Sequence, residues 1–417
     1  MKEIINICSS FMPADSIGGP SFCGFDLLAQ IDKIGNSKIL SFDEGINKEI
    51  WDINYYQKQT IFSSTNHYFC RSNLFGYLFL IKKIFFYIFR KKSTVFILHG
   101  VYNIPYILVS LIFIFFNFEV YIIPHGTLDR NRVRISRNIL VKNYAYHFLR
   151  FIHHKSIFVF SNQEEYKASL LFIEKNYFSS YYFIPNILKT ESLNYYLNKL
   201  PKSINRKSQI NLNKENLKKN KIYDFLNYPE RNYLNLIYFG RISREKGIDI
   251  FLRSLIRFLL NHNGILNIHL HFIGDGNQEY LNLIKEIITD NRINLEFTFY
   301  GWLSRDKAFH LIKRINGIMI FPSVSDNFNL SFLESILLGK KAIVSNNIAT
   351  SNDEWLSKRI FKLDINKIDR SLNIILNEII DLFKNKQLFD EEKIIFNHPY
   401  SELFVKKRWK ELIYKIN

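Results

Sequence analysis

The sequence predicts an α/β protein of two domains, and three observations carry that expectation. Short apolar runs with strand character end repeatedly in glycine, proline or histidine and are followed by stretches with helical spacing. At 417 residues, with 47 % hydrophobic and 23 % charged content, the chain exceeds one ordinary core and has the balance of a globular protein. Two short sites, GRISREKG (240–247) and PSVSDNFNLSFLESILLGKKAIV (322–344), each follow a strand and open a helix. Their separation, about 80 residues, is that at which two strand ends of one Rossmann-like domain face one ligand.

In the first half, 4–8 reads as a strand, and the loop SSFMPADSIGGPS leads into an apolar-periodic helix over about 22–34. Gly18 and Gly19 lie in that loop; paired glycines let backbone amides approach a phosphate, and plain loop flexibility is the alternative. The stretch 73–92, NLFGYLFLIKKIFFYIFRKK, is intensely apolar and closes on Arg90, Lys91 and Lys92. That composition suits a helix lying in an anionic membrane interface, or a buried helix with a charged end. Strands follow at 94–98, ending in His99-Gly100, and at 120–123, ending in Pro124-His125-Gly126. The apolar run 104–118 between them contains Pro105 and falls short of the ~20 residues that span a bilayer, so it reads as a buried core helix. The stretch 189–232, rich in Lys, Asn, Ser and Tyr without sustained periodicity, reads as an insertion plus interdomain linker.

In the second half, the strand LIYF stops at Gly240, and helical spacing resumes over 248–260. Arg241 and Lys246 then lie at the domain mouth, where a guanidinium and an ammonium can neutralise a diphosphate leaving group. A solvated charged turn is the plainer reading of the same residues. A strand at 317–321 ends at Pro322, and Phe332, Leu333, Ile336 and Leu337 mark a helix starting near Leu330. Glu334 projects from about its first turn, where a carboxylate can accept both hydroxyls of a ribose; simple dipole complementarity is the alternative. The amides of Asn329, Leu330 and Ser331 suit an anionic or hydroxyl-rich ligand, and Asp326 in the loop faces a transferred sugar. Trp302, in YGWL after a strand, borders a base or belongs to the core. Together these features point to a nucleotide-sugar site.

The same residues resemble family 4 of the retaining glycosyltransferases (glycosyl transferases group 1), which have the GT-B architecture of two Rossmann-like domains facing each other across a cleft. The family's G-R-x-x-x-x-K-G turn is met by Gly240, Arg241, Lys246 and Gly247, and its strand ending in G-x-G by Gly274, Asp275 and Gly276. Its P-S-x-x-E-x-F-G-L-x-x-x-E-A run is met by Pro322, Ser323, Asp326, Phe328, Leu330 and Glu334. Asp326 stands where the family has Glu, one methylene shorter, and Asn329 where it has Gly.

The resemblance implies an N-terminal acceptor-binding domain over 1–188, the linker and insertion over 189–232, and a nucleotide-sugar-binding domain over 233–395. A closing segment, 396–417, would pack back on the first domain, and 157–160 and 182–184 would be that domain's last strands. It implies that Gly18 and Gly19 face the donor diphosphate and sugar. The rest of the donor site would be Arg241, Lys246, Gly274, Asp275, Trp302, Asp326, Phe328, Asn329, Leu330, Ser331 and Glu334. His125, in a PHGTLD sequence similar to that of polysaccharide-building members, and His99 would serve the acceptor side; a histidine that caps its strand is the alternative. Catalysis would rest on His125, Asp326, Arg241 and Lys246. The implied reaction moves a sugar from a nucleoside diphosphate, UDP favoured over GDP, to a hydroxyl of a lipid-linked glycan in lipopolysaccharide, capsule or related synthesis.

The remaining composition bounds cofactors and location. Cys8, Cys23 and Cys70 lie far apart without a C-x-x-C pair, so neither a zinc site nor a disulfide framework is indicated. No signal peptide is apparent, and the expected location is cytoplasmic, peripheral on the inner face of the plasma membrane. No D-x-D occurs in the sequence, so no metal and no cofactor are expected. The net charge of +18 fits an anionic membrane surface together with coding bias, and no nucleic-acid partner is expected. Two alternatives remain open: another GT-B enzyme such as a nucleotide-sugar epimerase, and a non-catalytic basic homologue binding membrane or nucleic acid.

Overall fold

The computed structural model describes residues 2–8, 27, 31, 34–42, 67–70, 73–90, 94–101, 104–116, 118, 120–129, 156–170, 180–188, 233–262, 267–289, 295–385, 388 and 398–415. Among them, seven parallel strands form one sheet: β1 (Glu3–Cys8), β2 (Asn36–Phe42), β3 (His67–Cys70), β4 (Thr94–His99), β5 (Val120–Ile123), β6 (Ile157–Phe160) and β7 (Ser180–Phe183), in the order β3-β2-β1-β4-β5-β6-β7. A second parallel sheet holds β8 (Tyr233–Phe239), β9 (Asn267–Ile273), β10 (Glu296–Gly301), β11 (Gly317–Phe321), β12 (Ala342–Ser345) and β13 (Ile360–Leu363), in the order β10-β9-β8-β11-β12-β13. This is the two-domain α/β architecture expected from the sequence. Central strands such as β4 and β11 are buried along their whole length, which is why they read as unbroken apolar runs.

Each sheet is covered on both faces. On the second sheet, Leu236, Leu270 and Phe272 face α4 (Ile248–Asn261), α5 (Gln278–Ile288) and α8 (Ile368–Lys384). Ile237, Met319 and Phe321 face α6 (Arg305–Arg314) and α7 (Leu330–Leu337) on the other side. On the first sheet, Ile5, Phe96, Leu98 and Ile122 pack under α1 (Leu74–Arg90) and α2 (Ile104–Phe116), while α3 (Gln163–Leu170) follows β6. Its opposite face is covered by α9 (Glu402–Tyr414), whose Val405, Trp409, Leu412 and Ile413 join Ile4, Ile97 and Val159 in one cluster. Lys2 Nζ donates to the Ile413 carbonyl at 2.7 Å, and the Tyr414 hydroxyl to the Ile34 carbonyl at 3.0 Å. Ile187 still packs in the first domain whereas Leu188 packs in the second, where its amide meets the Tyr400 carbonyl at 2.9 Å. The stretch 189–232 lies outside the described residues, so the linker reading is not addressed by the fold.

One reading changes. The run 104–118 was expected to be a buried core helix; α2 buries Val109, Ser110 and Phe113 but leaves Leu111 and Phe115 exposed. It lies with α1 on the outer face of the sheet, and among the described residues no further layer covers it.

Both domains present a topological switch point, the place where neighbouring strands send their connections to opposite sides and open a crevice at the carboxyl ends. In the second sheet it lies between β8 and β11, the strands that lead into the two sequence motifs. In the first it lies between β1 and β4, and β4 ends at His99. Close backbone approach shapes the second crevice: a Cβ on Gly274 (φ +143°) would stand 1.9 Å from the Gly240 carbonyl oxygen. Gly274→Ala should therefore lower the urea midpoint by the equivalent of about 3 kcal/mol or more, because the obstacle is backbone. An unchanged midpoint would show that this approach is not required.

Candidate active site

The loop after β8 and the loop after β11 are packed into one unit. Gly247 adopts a left-handed conformation (φ +62°) between a 3-10 turn and α4, and a Cβ there would fall 2.3 Å from the Pro322 carbonyl oxygen. The Val324 amide donates to the Glu245 carbonyl at 2.9 Å. That contact brings Lys246 onto Asp326, and the two form an ion pair with both side chains largely buried. The sequence reading gave Lys246 to a diphosphate and Asp326 to a sugar; the structure joins them. Asp326 is further held by its backbone, its amide donating to Asn347 O at 3.2 Å and its carbonyl accepting from Ala349 N at 3.0 Å.

Arg241 is more open, with its guanidinium 2.9 Å from Glu245. Burial works to raise the Glu245 carboxyl, but the Arg241 charge, a bond from Ser243 and the Lys246 charge outweigh it and hold the group below its usual range. The Ser331 hydroxyl lies close to Gly240, so the α7 start and the first loop border the same space. Asn329 caps α7, its side-chain oxygen accepting from the Phe332 amide at 3.0 Å. An asparagine in place of the family's glycine thus supplies a helix cap. Leu330 opens the helix, and Phe328 packs edge-on against Tyr400 with ring centroids 5.0 Å apart.

Glu334 is buried one turn into α7 and forms an ion pair with Arg305, the first residue of α6. Sequence reasoning missed Arg305, which in SRDKAF resembles any charged helix start. Its guanidinium also lies over the Phe309 ring, 5.5 Å from the centroid. Asp275 is exposed, its carboxylate accepting from the Gly276 amide at 2.8 Å. Trp302 is 55 % exposed beside Gly301, whose carbonyl accepts from the Gly274 amide, so a core role for this indole is excluded.

In the first domain, His99 and His125 stand together at the ends of β4 and β5. Their rings lie nearly parallel, with His99 Nδ1 3.2 Å from His125 Nε2. Burial, and then the neighbouring His125, push the His99 pKa well below that of an ordinary histidine. Glu165, also absent from the sequence-based site, is buried and accepts from the Gly126 amide at 2.6 Å and from the Ser161 amide and hydroxyl, both at 2.7 Å. It ties the His125 loop to the start of α3. Gly18 and Gly19 lie outside the described residues.

Among the described residues, hydrogen bonds connect the domains at this place. The Ser325 hydroxyl donates to Asp129 at 2.5 Å, and the Asn162 side-chain amide to the Asn327 carbonyl at 2.9 Å. Of the residues on either side of Asp326, Ser325 therefore holds the loop that carries His125, and Asn327 meets the turn that opens α3.

Comparison with known proteins bears on the family and the fold. Residues 224–355 match the family model described as Glycosyl transferases group 1. An uncharacterized glycosyltransferase of Methanocaldococcus jannaschii is 24 % identical over 110 residues, which is 26 % of this chain and 26 % of that protein. The match spans about a quarter of that relative's length. Among solved structures, Anabaena HepE in complex with UDP and glucose superposes with a TM-score of 0.66 at 12 % identity, covering 100 % of both chains. A glycosyltransferase from Rickettsia africae does so with 0.63 at 16 % identity, covering 100 % of this chain and 99 % of that one. At such identities the likeness shows the fold, which is GT-B.

Proposed function

We propose that this protein is a retaining glycosyltransferase of family 4 that moves a sugar from a nucleoside diphosphate, UDP in preference to GDP, to a hydroxyl of a lipid-linked glycan in cell-surface polysaccharide synthesis. The observation that carries the reading is the meeting of both switch-point crevices at one place. The Lys246–Asp326 pair and the Glu334 helix lie on one side, the His99–His125 pair on the other, and the Ser325–Asp129 bond joins them. The match of 224–355 to Glycosyl transferases group 1 supports the reaction class, and the UDP and glucose held by Anabaena HepE support the nucleotide.

In this reading Lys246 and Arg241 lie against the diphosphate, Glu334 takes the ribose hydroxyls, and Trp302 borders the base. Asp326 faces the sugar, with the amides of Asn329, Leu330 and Ser331. Catalysis is mainly electrostatic: the bond from C1 of the sugar to the diphosphate oxygen breaks while Arg241 and Lys246 stabilise the charge left on that oxygen. A new bond forms from C1 to the acceptor oxygen on the same face, and the acceptor proton passes to the departing diphosphate. No metal is required. Calorimetry with UDP and with GDP, each with and without EDTA, tests the site. Micromolar binding of UDP unaffected by EDTA is expected, and no binding of either nucleotide would retire the reading.

A membrane surface as the acceptor's source is supported by the outer faces of α1 and α2. Leu78, Phe79 and Phe86 of α1 are exposed, and Phe89 and Phe115 are 73 % and 83 % exposed. Phe116 joins the helices, its ring in edge contact with those of Phe85 and Phe89 at 5.6 Å. Lys82 lies exposed on the same helix. An exposed aromatic face beside a lysine fits an anionic lipid surface. The double substitution Phe89→Glu with Phe115→Glu should reduce co-flotation with vesicles containing phosphatidylglycerol by roughly tenfold or more. Undiminished flotation would assign the patch to something other than lipid.

A further inference from the structure

An asparagine in the middle of the apolar strand β1 is costly unless its side chain is used, and Asn6 is fully buried. Its side-chain nitrogen donates to the Ser37 hydroxyl at 3.1 Å, which turns its oxygen toward His99 Nε2 at 3.3 Å. An amide oxygen can only accept, so Nε2 of His99 carries a proton. Buried and facing a second imidazole, His99 is neutral, so its Nδ1 holds a lone pair. His125 Nε2, 3.2 Å from that lone pair, must then be the donor. This fixes the proton of a neutral His125 on Nε2 and its lone pair on Nδ1. The backbone adds a second constraint: His125 has φ +51°, a conformation otherwise met, among the described non-glycine residues, only at Lys415.

We infer that Asn6 and His99 are positioning residues, a hydrogen-bonded wire that locks His125 in its Nε2–H tautomer and sets Nδ1 as the acceptor it offers to a substrate hydroxyl. The last clause rests on the function proposed above; the tautomer does not. The wire runs from the middle of β1, across the neighbouring β4, to the end of β5. It lets the interior of the sheet decide which face of the imidazole can hydrogen bond as an acceptor.

The test reads the tautomer directly, by nitrogen-15 chemical shifts and two-bond couplings of the imidazole rings in ligand-free protein near neutral pH. Protons on Nε2 of both His99 and His125 are expected. In Asn6→Asp the carboxylate stabilises the doubly protonated ring of His99, whose Nδ1–H then donates to His125 Nε2 and moves the His125 proton to Nδ1. Alongside that switch, kcat should fall about tenfold while KM for the donor stays within about threefold, as for loss of one hydrogen bond made to the acceptor. His99→Leu should lose the single tautomer of His125, and His99→Asn, which keeps an acceptor oxygen near Nδ1, should restore it. A proton on Nδ1 of His125 in the unaltered protein, or an unchanged tautomer in Asn6→Asp, would overturn the wire. A switched tautomer with unchanged kcat would overturn its role toward the hydroxyl. If the protein transfers no sugar at all, the proposed function fails while the spectra still decide the wire.

Discussion

Replacing Lys246 by alanine is expected to lower turnover by roughly 10²–10³-fold, the cost of removing one preorganised cation from a developing oxyanion. The size follows from where the charge sits. Lys246 and Asp326 have side chains only 16 % and 8 % exposed, so the ammonium acts in a medium that screens it poorly. The same substitution deprives Asp326 of its buried cation and should cost about 3–5 kcal/mol of stability. The two effects separate in the double variant Lys246→Ala with Asp326→Asn, which should recover most of the thermal stability and none of the turnover. Arg241→Ala provides the contrast: its pair with Glu245 is at 2.9 Å but the arginine is 41 % exposed, so stability should move by less than about 1 kcal/mol while kcat/KM falls. Turnover within about threefold of the original in Lys246→Ala would remove this lysine from the reaction.

Arg305→Leu is expected to destabilise the protein as much as the loss of Lys246, by about 3–5 kcal/mol, because it leaves the carboxylate of Glu334, itself 2 % exposed, without its guanidinium. Replacing both partners by leucine should restore most of that loss in urea unfolding, since a well-filled apolar pair can substitute for a buried ion pair. Nucleotide binding distinguishes structure from function here. If Glu334 takes the ribose hydroxyls through one oxygen while Arg305 holds the other, the double leucine variant should fold and bind UDP at least about tenfold more weakly, as expected for lost charge-assisted hydrogen bonds. Glu334→Ala with unaltered affinity for UDP would reduce the pair to a structural brace.

The strands and both motif loops were legible because parallel strands buried on two faces are continuous apolar runs, and because glycine marks where backbone must approach backbone. Gly247 and Gly274 each meet a carbonyl that a Cβ would crowd, and Gly240 (φ +140°) adopts a backbone conformation that other residues rarely reach. Arg305 was not legible, since nothing local distinguishes a helix-opening arginine that reaches a buried glutamate from one that reaches water. The half-burial of α2 was missed for the opposite reason: IPYILVSLIFIFF is apolar all round, and a helix without a polar face gives no periodicity from which to choose its buried side. Asn329 was read as a departure at a glycine position, and the structure gives it a capping duty that a sequence pattern alone does not assign. Likewise His99 reads as a strand-end residue until Asn6, 93 positions earlier, is seen to hold it.

The return of α9 to the first sheet sets the order in which the molecule can mature during synthesis. The strands β1 to β7 leave the ribosome early, yet Ile4, Ile97 and Val159 gain the cover of Trp409 and Ile413 only after the whole second domain has been made. The second sheet, drawn from 233–363, has no such wait and can close first. The earlier-made domain is therefore the later one to be finished, and a nascent chain stalled before residue 402 would carry an apolar sheet face open to chaperones.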